Sequence, residues 1–523
     1  MPVGHIALVS SPLRSGQRPN AAWSVGVREA QWGVMPVVSI GPGPVAADDV
    51  VAVARHDAQV RLSDEGRRAM EASRAIVDRL ATEDQPVYGV STGFGALATR
   101  HIPPEQRTRL QHAVVRSHAA GMGPPVEREV VRAMILLRAR TLATGYCGAR
   151  PVVAESLLGL LNDGVTPEVP EHGSLGCSGD LAPLARAALA LVDGGLELAA
   201  KEGLSLINGT DGMLGMLVLA CHDARLLFKT ADVTAAVAVE ALLGTDRVFQ
   251  PDLQRLRPHP GQAASAANLT RMLAGSPMVA SHRHADPRVQ DAYSLRCAPQ
   301  VAGAARDTLI FAEQIAERES ASAIDNPVIL PDGRVESNGN FHGAPLGFAC
   351  DFLAIAAAEV GAIAERRIDR MLDVARSNGL PPFLAADPGV DSGLMIAHYT
   401  AAALVAENRR LAAPASVDSI PTSAMQEDHV SMGWAAARKL RLVLANVARV
   451  LAVELVAGAR ALDLRAPLVP AVATDAVRSR LRGRVEGPGP DRFLAPELAA
   501  AEELVVSGAI VDAAEAALGG RLE

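Results

Sequence analysis

The chain has 523 residues, a net charge of −8, 49% hydrophobic residues and only 3% aromatic residues. That length can bury a large core, the apolar share excludes wholesale disorder, and no basic patch points to nucleic acid. Five widely spaced cysteines, Cys147, Cys177, Cys221, Cys297 and Cys350, include no Cys-x-x-Cys pair. This argues for a reducing, cytoplasmic setting and against a disulfide framework or zinc ribbon.

Residues 1–36 mix Gly, Pro, Ser and Trp without period and read as a disordered extension, with Met35 a plausible start. No apolar core of a signal peptide stands there, and no uncharged apolar run of about eighteen residues occurs anywhere, so no membrane span is expected. Regular structure begins near Ala46. The pattern predicts helices over 63–82, opened by Ser63, then 104–119 and 126–144, with a glycine-rich loop over 87–98 between the first two. Further helices are predicted at 181–192, 208–228 and 231–243. Alanine-rich runs at 348–372, 392–411 and 432–464 are too apolar for isolated surface helices. The expected fold is mainly α, a long-helix bundle with a smaller mixed N-terminal domain. Its division is 1–36 extension, 37–230 N-terminal domain and 231–523 helical bundle.

The segment Gly173-Ser174-Leu175-Gly176-Cys177-Ser178-Gly179-Asp180 carries the most chemistry. Gly179 has no Cβ, so its amide can fold back on the Cys177 carbonyl. Ring closure with loss of water there and from Ser178 yields a 4-methylidene-imidazol-5-one. That is an electrophile made from the backbone, with no external cofactor, where ordinary side chains supply only nucleophiles, acids and bases. The plainer reading is a glycine loop in which Asp180 caps a helix starting at Leu181. The two are compatible.

Tyr88, at the edge of the glycine loop, suits a phenol acid/base on a movable lid, or merely anchors a turn. His118 ends an apolar helix face, where a lone histidine is more often a cap than a ligand. Asn208 precedes a glycine, as in a turn. Gln290, Tyr293 and Arg296, spaced i, i+3 and i+6, would share one helical face suited to a carboxylate, or form a solvated face. Phe341 and Glu427 add an aromatic wall and a carboxylate. His282-x-His284-x-Asp286 lacks the spacing of a known zinc motif, so no metal is expected.

Together these segments resemble the histidine ammonia-lyases in their actinobacterial form, within the aromatic amino-acid lyase and aminomutase superfamily. The resemblance runs from Val37 to the C-terminus. Its marks are the Cys177-Ser178-Gly179 motif, the pair Ser117-His118 typical of histidine selectivity, and Ser423-Ala424-Met425-Gln426-Glu427-Asp428-His429. It implies a homotetramer with sites built from several subunits, acting on L-histidine to give urocanate and ammonia. It implies Ser178 as the reactive part of the ring, with Cys177 and Gly179 closing it. Tyr88 becomes a proton-transfer and lid residue, and His118 the partner of the substrate imidazole. Asn208 and Tyr293 position electrophile and amine, Arg296 binds the carboxylate, Gln290 and Phe341 line the site, and Glu427 contacts the imidazole or shares the base role. A tyrosine lyase or 2,3-aminomutase is the alternative within the superfamily; an inactive helical scaffold, or a metal hydrolase using the His282 cluster, are those outside it. Between Leu191 and Lys201 the chain is about twenty residues shorter than is usual in the family.

Overall fold

The computed structural model describes residues 37–82, 87–284, 286 and 288–523. The extension 1–36, with Met35, lies outside the described residues. Strand β1 (Val38–Ile40) pairs in parallel with β2 (Val60–Leu62), and α1 (Ala47–His56) connects them. Helix α2 (Asp64–Leu80) opens where expected: the Ser63 hydroxyl accepts from Gly66 N at 3.0 Å, satisfying a free amide of the first turn. Helix α3 (Arg107–His118) and α4 (Arg128–Ala143) follow, then α5 (Pro151–Asn162). Strands β3 (Met122–Pro125) and β4 (Pro170–His172) pair antiparallel beneath the segment that begins at Gly173.

Helix α6 (Leu181–Asp193) begins as predicted. The two helices predicted at 208–228 and 231–243 are instead one, α8 (Asp211–Ala241), preceded by a short α7 (Glu202–Ile207) and a break at Asn208–Thr210. The break at 230/231, used to divide the chain, falls inside α8. No glycine or proline stands at 229–232 to break the helix. Asp232 is buried against Ser265, Asn268 and Arg306, so the helix continues.

The second half is helical, as expected. It contains α9 (Pro251–Arg255), α10 (Pro260–Met272), α11 (Pro277–Ser281), α12 (Tyr293–Arg296), α13 (Ala298–Ala321), α14 (Ala344–Leu372), α15 (Met395–Leu411) and α16 (Gly433–Leu464). The hairpin β5 (Val328–Ile329) and β6 (Val335–Glu336) interrupts them, and α17 (Val472–Arg482), α18 (Ala495–Val506) and α19 (Ala509–Leu518) close the chain. Helices α8, α14 and α16 pack together, and α16 buries alanines such as Ala436, Ala437, Ala448 and Ala457, whose small side chains let helices approach closely. By length and composition, Glu202–Ala241, α14 and α16 are each apolar enough to cross a bilayer, contrary to the reading that no run would qualify. The apolar stretch of Glu202–Ala241 is wholly buried in the fold, that of α16 mostly and that of α14 by about half. A helix buried nearly all round in a bundle has the same composition as a membrane span.

Candidate active site

The loop Gly173–Asp180 is held from every side. Met432 N donates to Leu175 O at 2.8 Å and Gly343 N to Gly176 O at 2.9 Å. The Ser431 hydroxyl donates to Gly176 O at 2.7 Å, and that of Ser174 to Asp180 Oδ1 at 2.8 Å. Asp180 precedes α6, as predicted, but does not cap it. Its Oδ2 accepts from Gly212 N and Met213 N, both at 2.9 Å, so it caps α8 instead. Burial pushes the Asp180 carboxyl up to about 7, and nearby Asp211 adds to the rise against the lowering pull of its hydrogen bonds.

Gly179 sits at φ +73°, and a Cβ there would lie 2.2 Å from Gly209 O. Asp180 N donates to that same oxygen at 2.7 Å. Both the left-handed backbone and the lack of space therefore require glycine. Gly179→Ala is expected to lose the loop conformation, costing several-fold or more in soluble yield and leaving activity at background. Activity assays and near-ultraviolet circular dichroism check this; a folded, active variant would contradict it.

Asn208, at the end of α7, donates from Nδ2 to the Ser178 carbonyl at 2.8 Å, so it is more than a turn residue. The Ser178 hydroxyl donates to Glu427 Oε1 at 3.4 Å, while Glu427 Oε2 is buried without a hydrogen-bond partner. His118 ends α3, its Nδ1 3.1 Å from the Ser117 hydroxyl. Burial pushes the His118 imidazole down, against the raising pull of a hydrogen bond to the Val114 backbone and of the Glu427 charge. Ser178, Asn208 and Glu427 thus form one cluster.

Tyr88 OH accepts from Gly95 N at 3.2 Å, folding the glycine loop onto itself. The turn Gly95–Leu97 in this loop packs against Ser423–Met425, just before Glu427. Phe341 is half-buried two residues before Gly343, which bonds Gly176 of the Gly173–Asp180 loop. His342 stacks on His429, ring centres 5.7 Å apart.

Gln290, Tyr293 and Arg296 lie elsewhere. Gln290 is not on their helix: Ala292 is extended (ψ 154°) and α12 starts at Tyr293, so the one-face reading holds only for Tyr293 and Arg296. The Arg296 guanidinium lies over the Tyr293 ring at 4.7 Å, and all three residues line a cavity of about 500 Å³. Tyr293 is 71% exposed, and Arg296 Nε is buried without a partner. This group sits at the C-terminal end of α8, where Arg288 donates to Leu242 O and Thr245 N to Asp291. The Gly173–Asp180 loop sits at the N-terminal end, on Gly212 and Met213. A helix of 31 residues puts those ends about 45 Å apart, so one chain does not bring the two groups together. Asp286 of the His282 cluster pairs with Arg288 and His282, and no group of three or more His, Cys, Asp or Glu side chains placed to hold a metal occurs among the described residues.

The sequence reading did not assign Ser431, although it lies in a stretch already singled out. It also passed over Arg138, wholly buried between Asn208 O and Asp211, whose charge resembled one more polar face of a surface helix.

The model of the family described as "Aromatic amino acid lyase" matches residues 45–196 and 194–483. The chain belongs to the aromatic amino acid lyase family. The two matched stretches meet at residues 194–196, just before Lys201. The chain is 60% identical to a histidine ammonia-lyase of Streptomyces avermitilis, with 93% of this chain and 99% of that protein covered. It is 49% identical to one of Symbiobacterium thermophilum, covering 90% and 97%. Among solved lyase-family structures, a tyrosine aminomutase of Streptomyces globisporus superposes with a TM-score of 0.87 at 36% identity, covering 93% of this chain and 100% of that one. A histidine ammonia-lyase of Trypanosoma cruzi gives 0.84 at 38%, covering 92% and 96%.

Proposed function

We propose that this lyase eliminates ammonia from L-histidine to give urocanate. The observation that carries the reading is the Cys177-Ser178-Gly179 loop, with the Asn208 amide on the Ser178 carbonyl and Glu427 within reach of the Ser178 hydroxyl. We infer that Cys177, Ser178 and Gly179 close into the 4-methylidene-imidazol-5-one. The residues fit the group: only glycine is tolerated at 179, and the carbonyl that would become the ring ketone already has a donor. Such a ring supplies a carbon electrophile that turns the substrate amine into a better leaving group.

The chain's own residues do the rest. The Asn208 donor draws electron density toward the Ser178 oxygen, an oxyanion-hole type of polarisation. The unpartnered Oε2 of Glu427 and the imidazole of His118 offer acceptor and donor to the two nitrogens of a substrate imidazole. Tyr88, Tyr293 and Glu427 have the chemistry to take the β-proton. Arg296 has the charge and fork to hold the carboxylate.

The separation along α8 supports a site completed by another copy of the chain, in a homotetramer. Phe311, Phe348 and Phe352, on α13 and α14, form an exposed aromatic face suited to self-association. Two experiments test these points. Purified protein given L-histidine should produce a growing urocanate absorbance, while L-tyrosine gives no coumarate and no β-amino acid; the reverse preference would move the chain to the tyrosine branch. Ser178→Ala chains, nearly inactive alone, and Arg296→Ala chains, reduced about tenfold or more, should together regain about one quarter of the wild-type activity when co-expressed, because random mixing restores that share of two-chain sites. No recovery would place both groups in one chain's site.

A further inference from the structure

Lys201 has no part in the chemistry above, yet it is fully buried. It is not a glycine, but it stands at φ +72°, a backbone conformation that costs free energy unless the surroundings enforce it. Its ammonium donates to Asp325 Oδ2 at 2.6 Å and to the Ser205 hydroxyl at 3.0 Å, and Asp325 is also fully buried. An ion pair withdrawn from water is weak evidence for stability, so its retention asks for another reason.

The two partners lie at a junction. Lys201 and Ser205 belong to the start and middle of α7, whose end presents Asn208 to the Ser178 carbonyl. Asp325 begins the segment Asp325-Asn326-Pro327. Its main-chain oxygen accepts from Asn338 Nδ2 at 3.0 Å, at the start of the stretch that runs to Phe341. Pro327 packs against the lid: a Cβ on Gly89, which stands at φ +73°, would lie 2.9 Å from Pro327 Cδ and 3.1 Å from Leu204 Cδ2 of α7. Beneath the lid, Val90 and Ile329 form a small core of their own with Val77, separate from the main one, and Val87 and Ala200 pack on it. The residue before Lys201, the residues flanking Tyr88 and the hairpin after Pro327 therefore share one cluster.

We propose that the Lys201–Asp325 pair is a positioning element for the elimination, fixing the helix that carries Asn208 and the hinge of the Tyr88 loop against one another. The buried charges give the junction one register. A neutral pair of similar size would let α7 and the lid seat slide, and the donor on Ser178 and the phenol on the lid would lose their mutual placement without either being touched. This rests on the function proposed above, and wild-type turnover of L-histidine is the control that tests that function alone.

The test uses the full-length enzyme and the variants Lys201→Met and Lys201→Gln/Asp325→Asn. The double variant removes both charges and leaves no buried charge unpaired, so it keeps the test open if Lys201→Met does not fold. The expected result is a fall in kcat of about tenfold or more, with KM for L-histidine changed less than about twofold. In an Asn208→Ala background the same change should cost less than about twofold, because the pair acts through that residue. Hydrogen exchange, read without substrate, should show faster exchange in 87–101 and 202–208 together and unchanged protection in α16. Equal losses in both backgrounds, exchange rising uniformly through the chain, unchanged kcat, or failure of both variants to give soluble protein would each mark the pair as scaffold and overturn the proposal.

Discussion

Ser178→Ala is expected to reduce histidine turnover at least ~10³-fold, the scale seen when a group that bonds covalently to substrate is removed. Alanine at 178 has no hydroxyl to eliminate, so the methylidene carbon never forms. Intact-mass spectrometry should find the wild-type chain lighter than its sequence by two waters, about 36 Da, as the ring chemistry requires. The variant should not show that loss. The structure adds a contrast at the neighbouring position. Cys177 contributes only its carbonyl to ring closure, and its half-buried thiol is pushed up by burial. Cys177→Ala should therefore keep the mass loss and most of the activity. An active wild-type chain of unmodified mass would remove the ring from the mechanism.

The second large effect separates the two ends of the substrate. Arg296→Ala removes a guanidinium whose Nε is buried without a partner, and so should weaken every amino-acid substrate. A charge-assisted contact of this kind is worth about 1.5–3 kcal/mol, or roughly ten- to a hundredfold in kcat/KM. His118→Phe keeps an aromatic wall but removes the polar partner beside Glu427. It should lower kcat/KM for histidine far more than for phenylalanine, because a site built to hydrogen-bond a ring discriminates strongly against losing that bond. The measurement is the ratio of the two values in each variant. Equal losses in His118→Phe would make His118 a structural residue and remove the main local support for imidazole selectivity.

How much of this was legible in the chain depends on how far away each residue's partner lies. The electrophile loop could be read because its chemistry is local: Gly179 must reach a carbonyl two residues back. Ser63 announced its helix because its partner is the amide of Gly66. Asp180 looked like the cap of the helix it precedes, yet its carboxylate serves amides more than thirty residues on, at the start of α8. Nothing in local periodicity encodes that preference. Gln290 was placed on a helix because i, i+3, i+6 spacing is all that a sequence offers there, while Asp291 is drawn off to Thr245 and Ala292 is left extended. Lys201 and Asp325 are residue types that normally face water; only the packing of α7 against a segment more than a hundred residues away buries them together. The candidate residues could be named from the sequence, whereas their division between two ends of one long helix could not.

That division has a consequence for how the protein behaves in solution. If α8 keeps the electrophile and the carboxylate clamp at opposite ends, a dissociated chain holds two unfinished half-sites and no finished one. Specific activity would then depend on enzyme concentration, falling on dilution below the dissociation constant of the oligomer although every chain stays folded. Substrate would oppose that loss: a ligand gripped by groups from two chains binds only the assembled form, so by mass action L-histidine would hold the oligomer together.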